Sequence, residues 1–426
     1  MRESKGGTLM RNRCILTVTA MAMLFAVPVS LWAQALRVTP VAIYAEGVGQ
    51  TQKTASPGCL TLSPDGRFLV AMRDSGDTVF IYARDAEDGK LRLMSKLQRS
   101  VSEPRRVAFT PDSKFLVVPE FLPRLWCFGL DERSGALTNV QLTENNKRNV
   151  VGMESPDACC VSPDGKSLYV LGRREMTLAC FRLDSRTGQI EFDECLQSVN
   201  AGLPGEGLAL PLPERHARAR MVEGMFCPMS VACSPDGRHV LVGLSRKALS
   251  VFARDAATSR LTFVEQIGEH PSKLENNLVR ISGIAFHQGG AYVSTCNLTG
   301  GLTLLRRDPE SGSLHFIQAW VDAGVLKAPR DSIHMAEGLR SCSDIIWSKD
   351  GKWLFVGGST DQAVVAFAFD AAGERLIPAA LIRQGVENLS GLDLVNSVAV
   401  SPDGKFLYAA SRDASAAVFA LSVSDP

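Results

Sequence analysis

Three residues in the last quarter of the chain combine the side chains that acid–base chemistry on an anionic substrate requires. His334, Glu337 and Arg340 lie within seven residues of one another. A histidine or glutamate can move a proton, and an arginine can bind a carboxylate or phosphate through two parallel hydrogen bonds. We therefore expect Glu337 and His334 to act in catalysis and Arg340 to bind the substrate. An ordinary polar loop is the alternative that these residues leave open.

Arginine and glutamate recur in other segments that we expect to be loops. Several such loops around one cavity could bring arginines together as a clamp for a carboxylate or phosphate. The alternative is that neighbouring Arg and Asp or Glu side chains pair with one another and fix the loops without a ligand. Besides Arg340, the substrate-binding candidates are Arg106, Arg73, Arg173, Arg246, Arg412, Glu154 and Glu223.

Other catalytic classes lack their motifs in this sequence. It contains no Gly-x-Ser-x-Gly nucleophile elbow, no His-Glu-x-x-His zinc motif and no calcium-loop spacing. It also has no Cys-x-x-Cys pair, so neither a zinc ribbon nor covalently attached c-type haem is expected. We therefore expect no metal and no cofactor.

The elements that must hold the candidate loops are seven copies of one turn-and-strand unit. The first reads Ser63-Pro-Asp-Gly-Arg-Phe-Leu-Val-Ala71. Proline sets φ for the turn, the aspartate can bond its own backbone, and glycine closes the turn without a Cβ penalty. Apolar residues on both sides predict a β-hairpin. The copies begin at Ser63, Thr110, Ser162, Ser234, His287, Ser348 and Ser401.

Each of the first six copies is followed by another apolar strand, an Asp-containing turn and a fourth strand. Repeats of 47 to 72 residues with four strands each predict an all-β, seven-bladed β-propeller over residues 36–426. The last copy ends before a fourth strand, whereas residues 36–44 form an apolar segment without a blade of its own. We expect this segment to join the C-terminal blade and close the ring, which removes exposed sheet edges.

The propeller geometry separates two faces. The Ser-Pro-Asp-Gly turns should lie on one face, so we expect the site on the other face, among the loops that enter each first strand and that join the second and third strands. His239 and His287 adjoin turns and His315 lies in a fourth strand, which leaves His216, His270 and His334 as candidates. The longest repeat contains an insertion, residues 201–228, whose segment 213–221 could form a short helix. This insertion is either a lid over the site or a loop without such a role.

The N-terminal 35 residues have the pattern of an export signal. Arg11 and Arg13 precede an apolar run that ends in Ala33-Gln34-Ala35. We expect export to the periplasm or the extracellular space, with no stable membrane span after cleavage; an uncleaved anchor is the alternative. Without this segment the chain has 42 Lys and Arg against 44 Asp and Glu, which argues against a nucleic-acid partner. The ten remaining cysteines are expected mainly as buried thiols, with one or two disulfides as the alternative.

The repeat resembles that of the seven-bladed lactonase-type propellers, which include phosphogluconolactonases and carboxymuconate-lactonizing enzymes. The likeness rests on the Ser-Pro-Asp-Gly strands and on Tyr292-Val-Ser-Thr-Cys-Asn297, and no blade has the Trp-Asp dipeptide of WD40 repeats. The resemblance implies a monomer that hydrolyses or forms a small, anionic lactone. A non-catalytic propeller that binds a ligand or protein in the periplasm or cell envelope is the alternative, because fold does not imply function.

Overall fold

The computed structural model describes residues 36–44, 58–72, 78–98, 106–199, 218–245, 249–268, 280–324, 333–386, 389–411 and 416–423. These residues form strands and turns, with no helix among them. The strands assemble into seven antiparallel four-stranded blades, two of which carry a fifth strand. The predicted seven-bladed propeller is confirmed.

The first four blades follow one another along the chain. Their strands, after the N-terminal β1 (Leu36–Tyr44), are β2 (Leu60–Leu62), β3 (Phe68–Met72), β4 (Thr78–Arg84) and β5 (Leu91–Gln98) in blade 1; β6 (Ala108–Phe109), β7 (Phe115–Glu120), β8 (Arg124–Leu130) and β9 (Leu137–Glu144) in blade 2; β10 (Pro156–Val161), β11 (Ser167–Gly172), β12 (Thr177–Leu183), β13 (Ile190–Ser198) and β14 (Ala219–Val222) in blade 3; β15 (Pro228–Cys233), β16 (His239–Leu244), β17 (Leu249–Arg254) and β18 (Leu261–Ile267) in blade 4.

The last three blades complete the ring. Their strands are β19 (Ile281–Phe286), β20 (Tyr292–Asn297), β21 (Gly301–Arg307), β22 (Leu314–Asp322) and β23 (Ile333–Ala336) in blade 5; β24 (Cys342–Trp347), β25 (Trp353–Gly358), β26 (Ala363–Asp370) and β27 (Arg375–Arg383) in blade 6; β28 (Ser397–Val400), β29 (Phe406–Ala410) and β30 (Ala416–Val423) in blade 7. β1 pairs antiparallel with β30 from Leu36↔Val423 to Tyr44↔Ala416 and supplies the fourth strand of blade 7, as expected.

The fifth strands were not expected. β14 pairs in parallel with β13, and β23 pairs in parallel with β22, so each extends the outer edge of its blade. Residues Ala219–Val222 are a strand, and the helix predicted for segment 213–221 is therefore wrong where the structure describes it. Arg220 of β14 binds both carboxylate oxygens of Glu194 at 2.7 and 2.8 Å and the carbonyl of Leu261 in blade 4 at 2.7 Å.

The repeated turns close as their residue types predict. In the first copy the Ser63 hydroxyl donates to Asp65 at 2.5 Å and accepts from the backbone N–H of Phe68 at 3.0 Å. Gly66 lies at φ 72°, where its Cβ-free backbone is unstrained. The hydrophobic core is spread between blades rather than within one centre; for example, Tyr82 of blade 1 packs in one cluster with Tyr408 of blade 7.

The turn aspartates also join neighbouring blades, a role that the sequence analysis did not foresee. Arg254, the last residue of β17 and 1% exposed, binds Asp164 in the turn of blade 3 at 2.8 Å. Two further pairs repeat this contact: Arg307 with Asp236, and Arg84 with Asp403. We call these three Arg–Asp pairs the inter-blade latches.

One interface replaces the latch by aromatic contacts. The turn of blade 5 has no aspartate, and the residue of blade 6 that corresponds to the latch arginine is Phe369. The His287 ring of that turn lies 5.1 Å from the Trp347 ring and 5.4 Å from the Phe369 ring. The interface thus exchanges both members of the ion pair for rings that pack together.

Candidate functional site

The first strands of the blades surround a central channel that holds two cavities. The larger has a volume of about 720 Å³ and reaches the turns, where Pro64, Pro235 and Pro402 line it. The smaller, about 180 Å³, lies toward the opposite face, where Gly58 and Asn396 line it. The larger cavity therefore extends toward the face of the Ser-Pro-Asp-Gly turns, which the sequence analysis had set aside.

Arg106 lies where the two cavities meet, since its side chain lines both of them. One terminal N–H group donates to Asp344 Oδ1 at 3.1 Å and the other donates to the carbonyl of Ser343 at 2.5 Å. Although it lies deep in the ring, the side chain keeps 36% of its surface exposed to the channel. Burial is the largest single influence and opposes its charge, but Asp344, Cys296, Cys59 and Asp157 together outweigh burial and raise the Arg106 pKa. Arg106 therefore remains a cation at the narrow part of the channel.

Asp344 is held firmly opposite Arg106. Its Oδ2 atom accepts the Ser397 hydroxyl at 2.9 Å and the Val398 N–H at 3.0 Å, and its Oδ1 atom accepts the Ile345 N–H at 3.0 Å. With Arg106 as a fourth donor, the carboxylate has donors on both oxygens. Four donors therefore occupy most of the acceptor capacity of this carboxylate.

The Arg106–Asp344 pair crosses the channel between blades 2 and 6, which are not neighbours in the ring. Both residues stand four positions before the first residue of the repeated turn, Thr110 and Ser348 respectively. The other five blades have small residues at this position: Cys59, Ala158, Ser230, Gly283 and Ser397. Two opposite charges among small residues at one repeat position were therefore the sequence signal for this pair, and only Arg106 was identified from sequence.

His334 lies away from the channel mouth where it was expected. It belongs to β23, the fifth strand from the channel in blade 5, and its ring packs 4.8 Å from the Trp320 ring. Four strand spacings of about 4.8 Å place it roughly 19 Å from the innermost strand. Burial lowers the His334 pKa, so the imidazole is neutral at pH 7. Its expected position is corrected to the outer edge of the blade.

Glu337 and Arg340 follow β23 on the way to blade 6 and bind different partners. Glu337 is 68% exposed and lies 3.5 Å from Arg383 in β27. The Arg340 guanidinium lies 3.7 Å from Asp322 and 3.9 Å from Asp361. The three residues that the sequence groups together therefore do not converge on one described cavity, and the catalytic roles of His334 and Glu337 stay predictions.

The structure brings one further candidate toward the channel. Arg173 lies 3.5 Å from Asp157, which lines the smaller cavity together with Arg106. Asp157 thus pairs with one predicted arginine, Arg173, and shares a cavity with another, Arg106, although it was not among the residues selected from the sequence. Glu223 is exposed just after β14, at the outer edge of blade 3. Arg73, Arg246 and Arg412 lie outside the described residues, as do His216, His270 and most of the predicted lid.

Glu154 contacts a buried carboxyl group that the sequence analysis also missed. Its backbone N–H donates to Glu175 at 2.9 Å. Burial raises the pKa of Glu175, which is 4% exposed, and the backbone hydrogen bond only partly offsets this effect. Glu175 lies two residues after Arg173 in the loop between β11 and β12. The sequence around it contains no pattern that predicts its burial.

The described residues contain no group of three or more His, Cys, Asp or Glu side chains that could hold a metal ion. All ten described cysteines are free thiols, so the structure has the arrangement that the sequence analysis favoured over disulfides. No helix within the described ranges is long and apolar enough to span a membrane.

Comparison with known proteins agrees with this architecture. A model of the family "Lactonase, 7-bladed beta-propeller" matches residues 33–202. The resemblance to lactonase-type propellers is confirmed. A WD-domain G-beta repeat model matches residues 386–419. The absence of the Trp-Asp dipeptide therefore did not exclude likeness to a WD repeat in this segment.

A sequence relative and two solved structures extend the comparison. Hydrazine synthase subunit beta of Kuenenia stuttgartiensis is 26% identical in an alignment 199 residues long, which covers 43% of this chain and 49% of the relative. The match thus spans about half the length of that relative. A putative 6-phosphogluconolactonase from Bacteroides uniformis aligns with a TM-score of 0.60 at 15% identity, over 92% of this chain and 95% of its own. Hydrazine synthase of Kuenenia stuttgartiensis aligns with a TM-score of 0.56 at 19% identity, over 90% and 99%. At these identities the structural matches show the fold alone.

Proposed function

We propose that this lactonase-like propeller binds a small anionic lactone, or the hydroxy acid that its ring opening produces, in the central channel. Arg106 carries the proposal. A guanidinium has five N–H groups. Among the described residues, Arg106 donates two of them, one to Asp344 and one to the Ser343 carbonyl. The remaining donors lie at the junction of two cavities, where a carboxylate or a lactone carbonyl could accept them.

The proposed reaction is hydrolysis of the lactone. Arg106 would stabilise the negative charge that develops on the carbonyl oxygen as water attacks. Asp157 lines the same cavity and is the carboxylate that we propose as general base, because Asp344 already accepts four donors. Water would lose a proton to Asp157 and bond to the carbonyl carbon. The ring C–O bond would break, and its oxygen would take up the proton.

The binding step is tested by titration calorimetry of purified protein with gluconate, an anionic hydroxy acid, and with its neutral lactone, glucono-δ-lactone, as the uncharged comparison. Arg106→Gln should weaken binding about 10- to 100-fold, because hydrogen bonds to charged groups contribute about 1.5–3 kcal/mol. The matched control is Arg182→Gln, since Arg182 is 54% exposed and pairs with Glu191 within blade 3, away from the cavities. Equal affinities for the two variants would refute the role of Arg106.

A binding propeller without catalysis is the second candidate. It is favoured by the donors that occupy Asp344 and by the different partners of His334, Glu337 and Arg340. A lactone panel followed with a pH indicator separates the two functions. Hydrolysis that Asp157→Asn abolishes, with binding retained, supports the enzyme. Binding without turnover of any lactone supports the second candidate.

Export remains part of the proposal. The basic and apolar pattern of residues 1–35 supports a signal that is removed, which would leave a chain that begins near Leu36. Cell fractionation with mass spectrometry of the N-terminus tests this directly. A full-length chain that remains inside the cell would contradict it.

A further inference from the structure

The two ends of the larger cavity differ in chemistry. At its inner end Arg106 and Asp344 provide charge. Between this pair and the turns, apolar side chains that are only partly buried contribute much of the wall, including Leu62, Val107, Val231, Ile284, Phe286 and Ile346. They come from the first strands of blades 1, 4, 5 and 6 and, for Val107, from the residue before β6 of blade 2, so the apolar surface surrounds the cavity instead of forming a stripe on one side.

The apolar wall is continuous with the blade cores. Ile284 and Phe286 also pack against the cluster between blades 4 and 5, and Val231 packs against the cluster between blades 3 and 4. Each side chain is therefore fixed from behind and presents its remaining surface to the channel. The inner edges of the first strands add backbone groups that can hydrogen-bond water or a ligand. A pocket of about 720 Å³ is within the usual size range for small-molecule sites.

We infer that the ligand is amphipathic: a carboxylate or lactone head binds Arg106, and an aliphatic body of medium length extends along the apolar wall toward the turns. This inference rests on the proposed binding at Arg106 and adds the class of ligand and its direction. An aliphatic body would contact the apolar side chains of Val231 and Ile284, whereas the hydroxyl groups of a sugar-derived lactone would have to reach the backbone groups or the few polar side chains of the wall, such as Thr61 and Gln288. Lys349 also lines the cavity among the turn residues, where its charge favours an anion that enters from that face.

The test is a titration series with butanoate, hexanoate, octanoate and decanoate below their micelle concentrations, with gluconate as the hydroxylated counterpart. Affinity should rise with chain length by up to about fourfold per methylene, the value for a fully buried CH₂ group. The double variant Val231→Thr/Ile284→Thr places two hydroxyl groups on the wall, keeps the side-chain volume at position 231 and removes one methyl group at position 284, and it should flatten this rise. Leu381→Thr, a change at a residue 39% exposed on β27, is the matched control and should leave the rise unchanged.

The outcomes separate the two proposals. If gluconate binds through Arg106 and chain length has no effect, the amphipathic ligand is refuted and the channel site stands. If no carboxylate binds, both proposals fail. If the affinity of the wild type rises with chain length and that of the double variant rises equally, the aliphatic chain of the ligand does not lie on this wall and the inference is overturned. Circular dichroism of every variant verifies that the fold is kept.

Discussion

The latch between blades 4 and 5 permits a quantitative test of how the ring is held together. Arg307 is 1% exposed, and it binds Asp236, the Gly290 carbonyl at 2.7 Å and the His239 ring at 2.6 Å. Burial by itself would raise the pKa of Asp236, but hydrogen bonds from Arg307 and Ser234 outweigh it and lower the pKa to about 2. The ionised form of Asp236 is therefore the one that the fold stabilises.

The expected cost of Asp236→Asn follows from two routes. A fall in pKa from 3.8 to about 2 corresponds to about 2 kcal/mol, at about 1.4 kcal/mol per pKa unit. Breaking a fully buried ion pair costs about 3–5 kcal/mol, and the lower end applies because the Asp236 side chain keeps 31% of its surface exposed. We therefore expect Asp236→Asn to lower the free energy of unfolding by about 2–3 kcal/mol.

Urea unfolding at pH 7, followed by tryptophan fluorescence, measures this loss. The matched control is Asp112→Asn, because Asp112 makes the same turn contacts with Thr110 and Lys114. In the next blade the latch position is occupied by Leu183, so Asp112 has no buried arginine to pair with. We expect the control to lose less than about 1 kcal/mol. Equal losses in the two variants would show that the turn, rather than the latch, accounts for the stability.

Three further measurements probe the same packing. Because the Asp236 pKa is lowered, the contribution of its carboxylate to stability is present above pH 3.8 and is lost as pH falls toward 2. The difference in unfolding free energy between wild type and Asp236→Asn should therefore shrink over that interval. A constant difference would contradict the assignment. Gly312→Ala should lower the free energy of unfolding by more than about 1 kcal/mol beyond the loss in Gly404→Ala. A Cβ at Gly312 would lie 2.5 Å from His239, whereas a Cβ at Gly404, which also has a positive φ, would have no atom within 4 Å. Equal melting temperatures of the two variants would refute the clash. Burial raises the Cys127 pKa to about 12, so iodoacetamide at pH 8 should label it only in urea, as mass spectrometry can show, and rapid labelling of native protein would contradict this.

The fold could be predicted because its information is local. Each turn is specified by adjacent residues such as Ser63, Pro64, Asp65 and Gly66, so seven copies identify seven blades. Ring closure followed from counting strands at the two chain ends. The fifth strands escaped prediction because four-residue segments such as Ile333–Ala336 have a weak pattern of their own and are stabilised by pairing with an existing edge.

The candidate site was less accessible to sequence reasoning because its main contact is not local. Arg106 and Asp344 are 238 residues apart, and only the alignment of repeat positions shows that they face each other. His334 and Glu337 are close in sequence, but the chain leaves the outer strand of blade 5 between them. His334 therefore packs on Trp320, whereas Glu337 lies near Arg383 of blade 6. Proximity along the chain therefore did not predict which side chains share a described cavity, whereas equivalence between repeats identifies the Arg106–Asp344 pair.

The most direct test of the channel site is a crystal structure of the protein soaked with octanoate and, separately, with gluconate. The account predicts density for a carboxylate within hydrogen-bond distance of the Arg106 guanidinium, and for octanoate a chain that runs toward Pro64 and Pro402 at the turn end of the larger cavity. The same soak of Arg106→Gln should leave the channel without the ligand. Ligand density elsewhere on the propeller, with an empty channel in the wild type, would contradict the account.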